Sequence, residues 1–464
     1  MKPIALTRFA HALLLAFCLS AGTAAAMAAA PFFQAYVIVG ENGKAVARAV
    51  TSAARCPEIT VDSAAPVVME MRAAAALMPN RGSLQQDSKA ADFPVSVCDA
   101  AIPAGVRKIA VAGVPLPVPT AQPQRILLIG DTGCRQKASE SAAQPCNDAD
   151  AWPFAAISKL AAAWRPDLVV HLGDIIYRES PCPAGSEDCA GSPWGYGLDS
   201  WNADFFQPAQ ALLRAAPWLV VRGNHESCAR AGQGWFRFLE PRPYESKRSC
   251  DDPVLDREGD YTAPYAVPLA ADAQFIVFDS SKAAGKPYAP ADEAYTRYAT
   301  QLRWVDELAR SKPHTIFLSH HPVLGFASGK NQTALPGNQG LQSVMRSLHP
   351  DRLFAANIDL AMHGHVHLFE AISFKSDHPA VFVGGNSGSD LSQPLPASLP
   401  QDAQPAPGAM VDEYFGNREF GFLTMERIGG TWKFTEWNRH GNAVLHCDLV
   451  TAKMHCVASG AESK

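Results

Sequence analysis

The chain reads as an α/β protein with a largely parallel sheet, preceded by a small all-β unit. Three observations lead there. From residue 125 onward short apolar runs alternate with helical stretches, prolines cluster near residue 120, and strings of Asp, Asn and His follow the apolar runs. Strands that alternate with helices build βαβ units, whose strands lie parallel. The composition is that of a folded chain, with 464 residues, 47% hydrophobic and 18% charged, enough for two or three domains.

The first unit spans residues 31–112. Segments 35–39, 58–61 and 94–98 are strand-like, rich in Val, Ile, Phe and Tyr. Pro115, Pro117, Pro119 and Pro123 then mark a linker, 113–124, because proline has no amide hydrogen to give to a sheet. The main domain, 125–464, follows. Strands are predicted at 125–129, 168–172, 218–222, 275–279, 315–319, 358–362 and 381–383, and helices at 149–164, 201–216 and 292–311. Gly429-Gly430 between 422–427 and 431–437 predicts a hairpin. Segment 394–408 is a Pro/Ala/Gln-rich surface loop with no readable chemistry.

Residues 1–28 read as a signal peptide. Lys2 and Arg8 supply the positive start, Ala10 to Cys18 the apolar stretch, and the alanines from Ala24 to Ala29 several cleavage sites. The apolar stretch is shorter than the about 20 residues a spanning helix needs, and no later segment could span a bilayer. A periplasmic or secreted protein is expected. Losing Lys2 and Arg8, with no acidic residue, takes the net charge from −5 to −7. That charge argues against a nucleic-acid groove, no basic run suggests a membrane surface, and no feature points to a protein partner.

Ten cysteines remain after the leader, an even number suited to an oxidising compartment. Neighbours fall into pairs: Cys56 with Cys98, Cys134 with Cys146, Cys182 with Cys189, Cys228 with Cys250, and Cys447 with Cys456. Sequence alone leaves the connectivity open. Zinc is the alternative, but no C-x2-C pair supports it.

Five motifs carry chemistry. The strands run into Gly130-Asp131-Thr132-Gly133, Gly173-Asp174-Ile175-Ile176-Tyr177, Gly223-Asn224-His225-Glu226, Ser319-His320-His321-Pro322 and His363-Gly364-His365-Val366-His367. Each alone is an ordinary turn or a core histidine. Together, at successive strand ends, they form a ligand set, because parallel α/β sheets bind ligands beyond the carboxyl ends of their strands.

Taken in order, these motifs resemble the calcineurin-like metallophosphoesterase superfamily, and within it purple acid phosphatases. Most of the superfamily begins with D-x-H; here Gly133 stands in place of that His, and Tyr177 is the second distinguishing mark. The resemblance covers about residues 125–437. It implies metallophosphoesterase-type layered β-sheets flanked by helices, and hydrolysis of phosphate monoesters by a hydroxide held on two metals. It places Asp131, Tyr177 and His367 on one metal, Asp174 as a bridge, and Asn224, His320 and His365 on the second. The donors suit Fe(III) in the first site and a divalent Zn, Mn or Fe in the second. The resemblance turns His225 toward the substrate as a proton donor or phosphate ligand. His321 is a weaker candidate for the same surface, or a support; which of His320 and His321 binds metal is open from the residues alone, and aligning the proline that follows with related enzymes favours His320. Glu226 and His363 are expected to be structural. The segment 232–265, with Trp235, Phe236, Arg237, Arg242 and Tyr261, is either a cleft wall or a packed surface loop.

Two other functions compete: a phosphodiesterase or nucleotide hydrolase on the same centre, since the metals read phosphate and the walls read the rest, and a non-catalytic secreted binding protein. Three of the cysteine pairs begin just after ligand loops, at Cys134, Cys182 and Cys228, and are expected to hold those loops still.

Overall fold

Strands Arg125–Ile129, Leu168–His171 and Trp218–Val220 lie side by side and parallel, with Ile126 opposite Leu168 and Val169 opposite Trp218. Covered on both faces, they read as continuous apolar runs. A second parallel set joins Ala273–Val277, His314–Leu318, Ile358–His363 and Ala380–Gly384. These arrangements come from a computed structural model that describes residues 31–81, 88–138, 142–396, 398–400 and 402–460. The expected signal peptide, 1–28, lies outside the described residues.

The two sets are the centres of an eleven-stranded and a seven-stranded sheet. Beyond them, a further strand, Phe33–Val39, pairs in parallel. The C-terminal flanks are antiparallel: Gly421–Ile428, Thr431–Asn438, Ala443–Val450 and Lys453–Ala458 on the first sheet, Phe369–Phe374 and Val411–Asn417 on the second. A largely parallel sheet is thus found only in the centre of each layer. The Gly429-Gly430 hairpin is as expected, both residues having positive φ.

One core lies between the sheets, where Leu128, Val170 and Leu219 of the first pack with Leu318, Met362 and Phe382 of the second. Each such side chain contributes about 1.5–3 kcal/mol when fully buried. Helices Phe154–Ala163, Gln210–Ala215 and Gly232–Phe238 cover the outer face of the first sheet; Glu293–Ala309 and Gln339–Leu348 cover that of the second. The result is layered sheets flanked by helices. The helix predicted at 201–216 is interrupted: Leu198–Trp201 runs into a wider π-turn at Asn202–Phe206 before Gln210–Ala215.

The N-terminal region is all-β. Phe33–Val39 pairs in parallel with the third central strand through Ile38 and Trp218, and Ala45–Thr51, Ser96–Ile102 and Glu70–Ala73 extend the same large sheet. A separate four-stranded sheet contains Ile109–Val111 and Val114–Leu116, so the proline-marked stretch begins as an edge strand, where Pro115 is tolerated. All five cysteine pairs are disulfides, with Cα–Cα distances of 4.1 to 5.8 Å. Among the described residues no helix is long and apolar enough to cross a membrane.

Candidate metal centre

Each motif begins where its strand stops. Asp131, Asp174 and Asn224 follow the three central strands of the first sheet, and His320 and His365 follow His314–Leu318 and Ile358–His363 of the second. All seven predicted ligand residues come together. Tyr177 Oη lies 2.7 Å from Asp131 Oδ1, 3.0 Å from Asp174 Oδ2 and 2.8 Å from His367 Nε2. Beyond Asp174, His320 Nε2 lies 3.0 Å from the same Oδ2 and 3.1 Å from Asn224 Oδ1, while His365 Nδ1 lies 3.0 Å from that Asn oxygen. Asp174 is common to both groups. Its Oδ1 accepts the His225 backbone N–H at 2.8 Å, which leaves Oδ2 to face both sides.

The hydrogen-bond partners of the two buried rings indicate what these donors await. His367 Nδ1 is 2.6 Å from the Asp390 carbonyl and His320 Nδ1 is 2.8 Å from the Leu172 carbonyl. A carbonyl only accepts, so each ring gives it the Nδ1 proton and turns a bare Nε2 lone pair inward. Carboxylate and amide oxygens fill the rest of the space, so lone pairs outnumber protons. Burial, then Asp131 and Asp174, push the Tyr177 hydroxyl well above its ordinary pKa. Burial alone would lower the pKa of His320, but Asp174 overrides it and raises it to about 9. Both halves call for positive charge, and two metal ions fit this donor set.

The backbone is shaped to match. Asp131, Asp174 and His365 have φ of 54°, 57° and 71°, a region side-chain-bearing residues rarely enter and one that collects at functional sites. The Glu226 carboxylate accepts four backbone N–H groups, from Asp174, Ile175, Ile176 and Gly223, at 2.8–3.2 Å. Gly133 has a steric reason: a Cβ there would collide with the Ile175 carbonyl and the Asp204 carboxylate. No histidine fits at 133 in this chain. The Asp204 carboxylate instead accepts the backbone N–H groups of Cys134 and Tyr177, at 3.2 and 3.1 Å, and pairs with Arg178 at 2.6 Å. His363 faces away, its Nδ1 3.0 Å from Ser319 Oγ.

His225 packs over Tyr177, with ring centroids 3.9 Å apart, and its Nε2 lies 3.8 Å from Asp174. Burial, then the Arg230 guanidinium, lower its pKa. Its Nδ1–H donates to the Ile176 carbonyl at 2.9 Å, and Arg230 donates to Nε2 at 2.7 Å. Arg230 is itself ion-paired with Glu179. Sequence reasoning missed this group. Glu179 stands two residues after Tyr177 and Arg230 five after His225, and proximity to a motif was the only signal. His321 is buried, held by Ser280 at 3.0 and 3.2 Å, and its ring packs on His365 at 4.2 Å. Trp235, Phe236 and Arg237 are buried side chains of helix Gly232–Phe238, which packs on the first sheet, so that part of 232–265 is packed core and not a cleft wall.

Residues 124–369, more than half of the chain, match the calcineurin-like phosphoesterase family. Comparison with curated proteins finds no match. Among solved structures, the purple acid phosphatase PPD1 from yellow lupin (Lupinus luteus) seeds is similar with a TM-score of 0.57 and 14% identity, over 92% of this chain and 74% of that one. A structure of PhoD is similar with a TM-score of 0.50 and 13% identity, over 92% of each chain. At such identities the likeness concerns the fold. The family match over the ligand-bearing strands decides the rest: the chain belongs to the calcineurin-like phosphoesterase family, a metal-dependent phosphoesterase whose family implies a binuclear metal centre.

Proposed function

We propose that this phosphoesterase is an exported enzyme that hydrolyses phosphate monoesters at an Fe(III)–divalent centre of purple acid phosphatase type. The carrying observation is Tyr177, whose oxygen lies within 3.0 Å of Asp131, Asp174 and His367. A phenol among two carboxylates and an imidazole suits a hard trivalent ion. In this reading Asp131, Tyr177 and His367 hold the first ion, Asp174 bridges, and Asn224, His320 and His365 hold the second. Bound together, two such ions supply an activated water and offset the charge that develops on phosphorus.

The protein's own groups do the rest. Arg230 offers N–H donors to the phosphate oxygens. His225, whose Nε2 accepts from Arg230 until that guanidinium turns to the phosphate, then takes up a proton there and passes it to the leaving oxygen. His321 supports the His365 ring from behind. Export rests on the leader-like residues 1–28 and accords with five disulfides. Family membership and the complete donor set speak against a non-catalytic binding protein.

Metal analysis with a visible spectrum tests the reading. About one iron per chain and a tyrosinate charge-transfer band that disappears in Tyr177→Phe are the expected results. Two zinc ions and no colour would remove Tyr177 from the centre. Rates on aryl phosphate monoesters and diesters, measured side by side, decide between the monoesterase and the phosphodiesterase.

A further inference from the structure

Beside His365 the surface opens into a cavity of about 260 Å³. Its walls are mainly apolar, formed by Pro322, Phe326, Leu335, Pro336 and Val366, and among the described residues His365 is the only titratable one that lines it. Asn338 also lines it, but its side-chain oxygen is engaged, accepting the Leu341 N–H at 2.9 Å at the start of helix Gln339–Leu348. The walls are braced from outside. Phe326 N–H donates to Glu370 at 2.9 Å, Gly337 N–H and the Gln342 amide donate to the Pro405 carbonyl at 3.0 and 2.7 Å, and Ser328 Oγ donates to Pro394 at 3.1 Å. The proline-rich stretch that carried no readable chemistry thus supports a preformed cavity next to a metal-ligand candidate.

Size and charge limit what can enter. An apolar void of about 150 Å³ accepts benzene, so this cavity has room for one substituted ring but not for a nucleoside with further phosphates. Among the described residues no permanently charged side chain lines it to neutralise additional anionic groups. We propose that the cavity receives the alcohol half of the ester and selects uncharged, apolar, single-ring-sized groups over nucleotides. This rests on the hydrolytic reading above, and binding separates the two.

Calorimetry on the metal-loaded protein compares phenylphosphonate with methylphosphonate, neither of which is hydrolysed. The phenyl compound binds about tenfold tighter. Leu335 is 46% exposed at the cavity rim, so Leu335→Glu folds normally and reduces that ratio to about two. Leu335→Lys reduces it as well, which separates lost apolar contact from repulsion of the phosphonate. A ratio near one in the unmodified protein, or one that neither variant changes, overturns the assignment. An aryl preference without hydrolysis of any phosphate ester keeps the cavity and overturns the hydrolytic reading instead.

Discussion

The two halves of the proposed metal centre differ in how deeply they are set. Asp131, Asp174, Tyr177 and His367 are buried, and the loops behind them are tied by Cys134–Cys146, Cys182–Cys189 and the Asp204–Arg178 pair. In the other half His320 is buried, but Asn224 is half-buried and His365 exposed, with an open cavity beside it. In the proposed reading the first half keeps an ion and the second meets solvent and substrate. One fold can therefore separate holding a cofactor from exchanging ligands, with Asp174 as the joint.

The joint should give the largest effect. Asp174→Ala removes the shared oxygen, so metal content falls in both halves and kcat/KM drops by about four orders of magnitude. If one full equivalent of metal stays, the halves are more independent than the shared carboxylate implies. Tyr177→Phe touches only the deep half. It is expected to abolish the visible band and lower kcat by about 10–100-fold, while a divalent ion is still bound by Asn224, His320 and His365. Equal loss of both ions would break the comparison. Arg230→Met leaves metal content unchanged and raises KM about tenfold, or about 1.4 kcal/mol; an unchanged KM would remove Arg230 from the substrate's surroundings.

The deep half was the more legible in sequence. Asp131, Asp174 and Tyr177 lie at short offsets from strands that read as apolar runs, and five such offsets in order were enough to collect the ligand set. What supports those residues was not legible, because support is distant in sequence and carries no period. Asp204 acts from an interrupted helix about 70 residues after Gly133, and Arg230 sits on a loop with no pattern of its own. The antiparallel flanks were missed in part for a related reason: strands such as Ala45–Thr51 and Phe369–Phe374 pair with partners far along the chain. Residues 394–408 read as an empty loop because their contribution is made through carbonyl groups, which every residue has.

The open half depends on a titratable brace. Glu370 is fully buried, and burial holds its pKa up at about 8, with the Phe326 N–H and the Tyr414 hydroxyl lowering it by less. In the fold this carboxyl keeps its proton up to about pH 8, whereas in the unfolded chain it loses it near 4.5. Between those values the folded state binds the extra proton, so stability is full below about pH 4.5 and falls as pH rises, by about 1.4 kcal/mol per pH unit. Glu370→Gln carries no charge at any pH, while its amide can still accept from Phe326 and donate to Tyr414. Denaturant unfolding at pH 6 and 7 should therefore show a loss in the parent that the variant lacks, at unchanged metal content. An identical pH slope in both proteins would mean that Glu370 is not the group that ties the cavity wall to pH. A slope confined to the parent would show that the exposed half of the site rests on a brace weaker than the disulfides behind the deep one.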